Sequence, residues 1–107
     1  MKDIFVTEAG PDQPVPALNH AVEILKALGH TGRLAIMCEL ADGEKSVNML
    51  ETSLGIRQAS VSQQLARLRQ EGLVKHRRQG KSIYYRVASE RVRGIVETVR
   101  TEFTADS

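Results

Sequence analysis

The sequence contains little cysteine and no long apolar run, and each of these two absences excludes a class of protein. Cys38 is the only cysteine among 107 residues, which excludes an intrachain disulfide and a zinc site built from cysteines of one chain. No apolar run approaches the roughly 20 residues that span a bilayer, and the N-terminus lacks a signal-peptide pattern. With 41% hydrophobic and 26% charged residues, we expect one globular cytoplasmic domain that has no membrane segment.

Catalytic and metal-binding motifs are missing as well. The sequence offers no paired nucleophile and base, no glycine-rich phosphate loop and no cluster of metal ligands. Its three histidines, His20, His30 and His76, lie far apart in the sequence and are expected to be surface or capping residues rather than ligands. We therefore expect no enzymatic activity, no cofactor and no bound metal.

The net charge of +2 conceals an uneven distribution. Between Arg57 and Arg86 there are eight basic residues and one acidic residue, a net charge of +7, and the rest of the chain carries −5. A one-sided basic face suits a polyanion, because phosphate contacts and counterion release supply most non-specific affinity for DNA. The alternative interpretation is a solvated charged surface.

Apolar periodicity and turn residues divide the chain into a flexible N-terminal arm (1–16), one folded domain (17–104) and a short C-terminal tail (105–107). All three prolines lie in the arm, where no apolar period is sustained. From Leu18, apolar residues recur every three or four positions and predict a helix that ends near Gly29. A second helix is predicted with Thr31 as its cap and a stop at Asp42-Gly43.

The remaining pattern predicts two more helices, a hairpin and a last helix. Ser46 can cap a short helix that Gly55 ends, and the next helix runs from Gln58 to Gln70. Two alternating segments, 73–78 and 82–87, flank a short loop at 79–81 and predict a basic β-hairpin, and Ser89 can cap the last helix. The expected fold is mainly α, in the order α-α-α-α-β-β-α, with a small β-hairpin wing.

The third and fourth predicted helices form a helix-turn-helix unit, whose second helix enters the major groove of DNA. That helix is rich in glutamine, serine and arginine, which recognise adenine, guanine and phosphate. The candidate DNA contacts on it are Arg57, Gln58, Ser60, Ser62, Gln63, Gln64 and Arg67. On the wing, the basic residues expected to contact the adjacent minor groove or its phosphates are Lys75, Arg77, Arg78 and Lys81.

Two segments, GHTGRLAIMCEL (29–40) and ASVSQQLARLRQEGLV (59–74), resemble the ArsR family of repressors, and the resemblance covers roughly residues 18–103. It implies a winged helix-turn-helix protein that forms a homodimer through its first and last helices. It also implies release from operator DNA when a metal or an oxidant binds. Dimer symmetry then predicts an inverted repeat in double-stranded DNA as the binding site.

The resemblance also identifies where metal ligands would stand in this chain. The family's cysteine site corresponds to 46–48 and offers no thiolate, and its second site includes Arg91, which cannot bind a cation. The corresponding residues are Ser46, Val47 and Asn48 for the first site, and Ser89, Arg91, Glu102 and Ala105 for the second. Both family metal sites are therefore expected to be absent.

What remains is the thiol- and persulfide-sensing branch of the family, the BigR, SqrR and HlyU type. The resemblance identifies Cys38 as the first of its two sensing cysteines, and the second falls at or beside Thr104, which has no thiol. The chain is then either a variant, natural or engineered, or a responder to another, non-thiol signal. Cys38 can be persulfidated, oxidised or bridged between subunits, or it can be a small apolar residue in the core.

A different class of function stays open at this point, a winged-helix dimer that binds another protein instead of DNA. Replacing Gln63 and Arg67 by alanine discriminates between the two, because only a DNA-binding protein needs these side chains.

Overall fold

The computed structural model describes residues 15–104, with side chains from Leu18 onward. Within this range the chain forms five helices and one three-stranded antiparallel sheet. In chain order the elements are α1 (Val15–Leu28), α2 (Thr31–Ala41), β1 (Lys45–Ser46), α3 (Val47–Leu54), α4 (Gln58–Gln70), β2 (Val74–Gln79), β3 (Ser82–Val87) and α5 (Glu90–Thr104). The expected order of helices and hairpin is confirmed. Helix α1 begins at Val15 rather than Leu18; the predicted arm up to residue 14 and the tail 105–107 lie outside the described residues.

The core lies where α2, α4 and α5 pack together over the end of the sheet. Helix α4 buries Val61, Leu65 and Leu68 completely, because their spacing of three and four residues puts them on one face. Leu40 of α2 and Val96 of α5 pack into the same cluster and are also fully buried. The opposite face of α4 is thereby presented to solvent.

The C-terminus of α2 is fixed by contacts that bring α5 against it. A helix leaves its last four carbonyls without helical partners. Here the carbonyl of Cys38 accepts from Arg100 Nη1 at 3.0 Å, and that of Ala41 accepts from Arg93. The carbonyls of residues 39 and 40 accept from the amides of Asp42 and Gly43. All four acceptors are satisfied, so α2 and α5 are held in one relative position.

Two of the three predicted caps are confirmed and one is wrong. Ser46 and Ser89 accept hydrogen bonds at 3.2 Å from amides three residues later. Helix α2 is capped by His30 and not by Thr31, which is the first residue of the helix. His30 has an extended backbone, and its Nδ1 accepts from the amides of Gly32 and Arg33 at 3.1 and 3.3 Å. Histidine is an uncommon cap, and the cap preferences of helices favour the neighbouring hydroxyl of Thr31.

The wing is a hairpin of β2 and β3 in which Gln79 pairs with Ser82. The two-residue loop has a positive φ of 63° at Gly80 and none at Lys81, as in a type II′ turn. The sheet also contains β1, which pairs with β3 and was not predicted. Two residues are too short to produce an alternating pattern, so only its partner strand reveals it.

Candidate nucleic-acid interface

Helix α4 presents a polar row on the face opposite the core. Arg57, Gln58, Ser62 and Gln63 are exposed, and the remaining candidates, Ser60, Gln64 and Arg67, are half-buried. The N-cap residue Arg57 makes no side-chain hydrogen bond to the first turn, and that turn has no acidic residue. The backbone amides of the first turn of α4 therefore point outward at the positive end of the helix dipole, an arrangement that favours binding of an anion.

A cleft of about 300 Å³ joins the start of α4 to the wing. Gln58 and Ser62 line it from α4, Lys81 lines it from the hairpin loop, and Asn48 lines it from α3. The structure therefore brings two of the predicted recognition residues, Gln58 and Ser62, and the tip of the wing to one mainly polar cleft. Asn48 is not among the predicted DNA contacts, because its proximity to α4 depends on how α3 packs against that helix.

Gln64 is held in place by a residue that the sequence did not indicate. Its Oε1 accepts a hydrogen bond of 3.3 Å from Arg33 Nη1. The same guanidinium donates to the carbonyls of Ala27 at 2.5 Å and Lys26 at 3.4 Å, which end α1. Arg33 therefore links the end of α1 to the recognition helix.

The wing carries five cations, of which one, Arg77, is engaged in an ion pair, and Arg86 on β3 is exposed like the rest. Lys75, Arg78 and Lys81 are exposed. Arg77 instead forms a bidentate ion pair with Glu44, with Nε–Oε2 and Nη2–Oε1 distances of 2.8 and 2.7 Å. Hydrogen bonds from Arg77 hold the pKa of the Glu44 carboxyl below its ordinary value. Glu44 is a third residue that sequence reasoning missed, since it lies 33 positions from its partner.

Cys38 lies half-buried on α2, at the wall of a groove of about 390 Å³ that Leu34 and Leu28 also line. Burial raises the pKa of its thiol, and the nearby Arg100 guanidinium opposes this effect only in part. A thiolate is the reactive form of cysteine, so this environment does not activate Cys38. Thr104 lies one helical turn beyond Arg100 on α5.

Histidine, cysteine and carboxylate side chains do not gather into a metal site. Within residues 18–104 there is no group of three or more such residues that could hold a metal ion. His30 caps α2, one of the two roles expected for the histidines. The ring of His76 stacks on Tyr85 with a centroid distance of 5.7 Å. Among the described helices, none is long and apolar enough to cross a membrane.

Helices α1 and α5 leave apolar side chains in solvent. Leu18, Val22 and Leu25 recur on one face of α1 and are 48%, 44% and 59% exposed. Phe103, near the end of α5, is 81% exposed. Exposed large apolar side chains that recur on one face, as they do on α1, mark a surface that another protein covers.

Fold and surface together define a winged helix-turn-helix protein of the DNA-binding class, and comparison with known proteins identifies its family. Residues 30–76 match the bacterial regulatory protein, arsR family. The biofilm growth-associated repressor of Agrobacterium fabrum is 44% identical over 96 residues, which cover 86% of this chain and 82% of that protein. The chain belongs to the ArsR family.

Solved structures agree with this assignment. Reduced HlyU from Vibrio cholerae superposes with a TM-score of 0.80 at 35% identity, covering 83% of this chain and 94% of HlyU. The homodimeric winged helix-turn-helix DNA-binding domain of a possible ArsR-family regulator from Mycobacterium bovis gives 0.75 at 33% identity, covering 94% and 91%. The protein is a DNA-binding transcriptional regulator and not an enzyme, and ArsR-family regulators of this fold form homodimers.

Proposed function

We propose that the chain is a homodimeric repressor that inserts α4 into the major groove of an inverted-repeat operator and lays its wing on the adjacent backbone. The observation that carries this proposal is the mainly polar cleft formed by the uncapped start of α4 and Lys81. Exposed glutamine, serine and arginine on that helix supply the groups that read base edges. Repression is the activity named for the Agrobacterium relative.

Within the dimer, α1 and α5 of one subunit pack against the same helices of its partner. Leu18, Val22 and Leu25 supply an exposed apolar stripe on α1, and Phe103 supplies a separate exposed apolar side chain near the end of α5. A twofold axis through this interface gives two copies of α4, which fit half-sites one or more helical turns apart. The operator is then an inverted repeat.

The test is fluorescence-anisotropy binding to the duplex upstream of the protein's own gene, with a scrambled duplex as control. The proposal predicts selective binding that weakens steeply with salt. Gln63→Ala is expected to weaken the binding free energy by about 1–3 kcal/mol for the selected duplex and by little for the scrambled one. Gln70→Ala, an exposed position at the far end of the same helix, is the matched control. Equal affinity for both duplexes would favour the protein-interaction alternative.

Release from DNA through Cys38 is a separate prediction. The thiol borders an open groove, so a small persulfide donor can reach it, although its raised pKa slows attack. Adding the donor to the anisotropy assay is expected to weaken selective binding of the native protein and to leave Cys38→Ser unaffected. An equal response of both proteins would refute a role for this thiol, and no response would point to another signal.

A further inference from the structure

Arg77 has the most occupied guanidinium on the wing. Besides the bidentate pair with Glu44, its Nη1 donates to Gln79 Oε1 at 2.7 Å. Its Cζ lies 5.0 Å from the centre of the Tyr84 ring, its neighbour across the hairpin. Three N–H groups and one face of the guanidinium are thus engaged within the protein.

Glu44 connects two parts of the fold that the hairpin hydrogen bonds do not join. It lies directly before β1, whose residues pair with β3, and it reaches past β3 to β2. The ion pair therefore crosses the whole three-stranded sheet and fixes the outer strand of the wing to the segment that leads into α3. The other wing cations differ, because Lys75, Arg78, Lys81 and Arg86 form no ion pair within residues 18–104.

We propose that Glu44 is a positioning residue for the wing, which engages Arg77 so that this arginine orients the hairpin and makes no contact with DNA phosphate. The inference rests on the proposed DNA-binding function. It assigns the phosphate contacts of the wing to Lys75, Arg78 and Lys81. The pairing also neutralises Glu44, whose carboxylate would otherwise repel a nearby polyanion.

Salt dependence separates a positioning cation from a phosphate-binding one. Each phosphate contact adds about 0.9 to the slope of log affinity against log salt concentration. The double variant Glu44→Gln with Arg77→Gln removes the pair without changing net charge, so it is expected to leave the slope unchanged. Arg78→Gln, the matched loss of a contacting cation, is expected to flatten the slope by about 0.9 per subunit.

The single variant Glu44→Gln is expected to change the salt slope in the direction opposite to Arg78→Gln. It releases Arg77, which can then take a phosphate, so the slope is expected to steepen by about 0.9 per subunit on the scrambled duplex as well as on the selected one. Faster hydrogen exchange of the β2 amides in the double variant is the structural readout.

Two results would overturn the inference. One is a salt slope of the double variant as shallow as that of Arg78→Gln, and the other is a salt slope of Glu44→Gln equal to that of the native protein. A native protein whose duplex binding does not respond to salt would instead refute the proposed function itself. The native control therefore distinguishes the two failures.

Discussion

Replacing Arg33 by alanine tests whether one side chain ties the end of α1 to the recognition helix. The guanidinium donates to the carbonyls of Ala27 and Lys26 and to Gln64. The bond to Ala27 is short, at 2.5 Å, and Ala27 is fully buried, whereas the other two bonds are longer at 3.3–3.4 Å. A hydrogen bond from a charged donor contributes about 1.5–3 kcal/mol, and the long ones less. We expect Arg33→Ala to lower the free energy of unfolding by about 2–3 kcal/mol.

Urea denaturation at one fixed protein concentration measures this change, because the stability of a dimer depends on its concentration. Arg69→Ala is the control, since Arg69 is an exposed arginine on α4 and its loss is expected to change stability by less than about 0.5 kcal/mol. Arg33→Lys keeps the positive charge but loses the planar guanidinium, so its free energy of unfolding should lie between those of Arg33→Ala and Arg69→Ala. If Arg33→Ala were as stable as Arg69→Ala, the link between α1 and α4 would be energetically irrelevant.

Three further predictions concern the dimer, the thiol and pH. Leu25→Glu places a charge on the exposed stripe of α1 and is expected to shift the sedimentation coefficient toward the monomer, whereas Met49→Glu, at an exposed apolar site on α3, should not. Because burial raises the pKa of Cys38, its alkylation rate by iodoacetamide should reach half-maximum at a higher pH than that of the unfolded chain. A lower midpoint would contradict the described environment. Arg100 holds the pKa of Asp42 below its ordinary value, so the unfolded state binds a proton first as pH falls. The stabilisation is present above the ordinary carboxyl pKa of about 4 and is lost below it; Asp42→Asn should make acid unfolding less steep, and an unchanged acid transition would refute this.

Local patterns predicted most of the helices and the hairpin. The spacing of Val61, Leu65 and Leu68 predicted both the extent of α4 and the face that it buries, because helix periodicity and burial have one cause. Gly55 was correctly predicted as the end of α3, and it has a φ of 66°, which few other residues adopt without strain. The exposed polar row of α4 follows from the same periodicity.

The contacts that organise the site could not be predicted in this way. Arg33 and Gln64 are 31 positions apart, Arg77 and Glu44 are 33 apart, and Arg100 and Asp42 are 58 apart. No period in the sequence connects such residues, since their proximity depends on how separate elements pack. Arg77 shows the consequence. Its positive charge and its place on the wing predict a DNA contact, and only the folded structure places the Glu44 carboxylate beside it.

Most arginines of this chain fall into two groups, and the division explains why a net charge of +2 says little about the surface. Outside the basic block, Arg33, Arg93 and Arg100 donate to backbone carbonyls at the ends of α1 and α2. Arg100 is also paired with Asp42 at 2.9 Å and with Glu97 at 2.8 Å. These charges satisfy acceptors inside the protein and contribute little field outside it. Within the block most cations are exposed, and the positive field is therefore concentrated on α4 and the wing, where counterion release favours DNA.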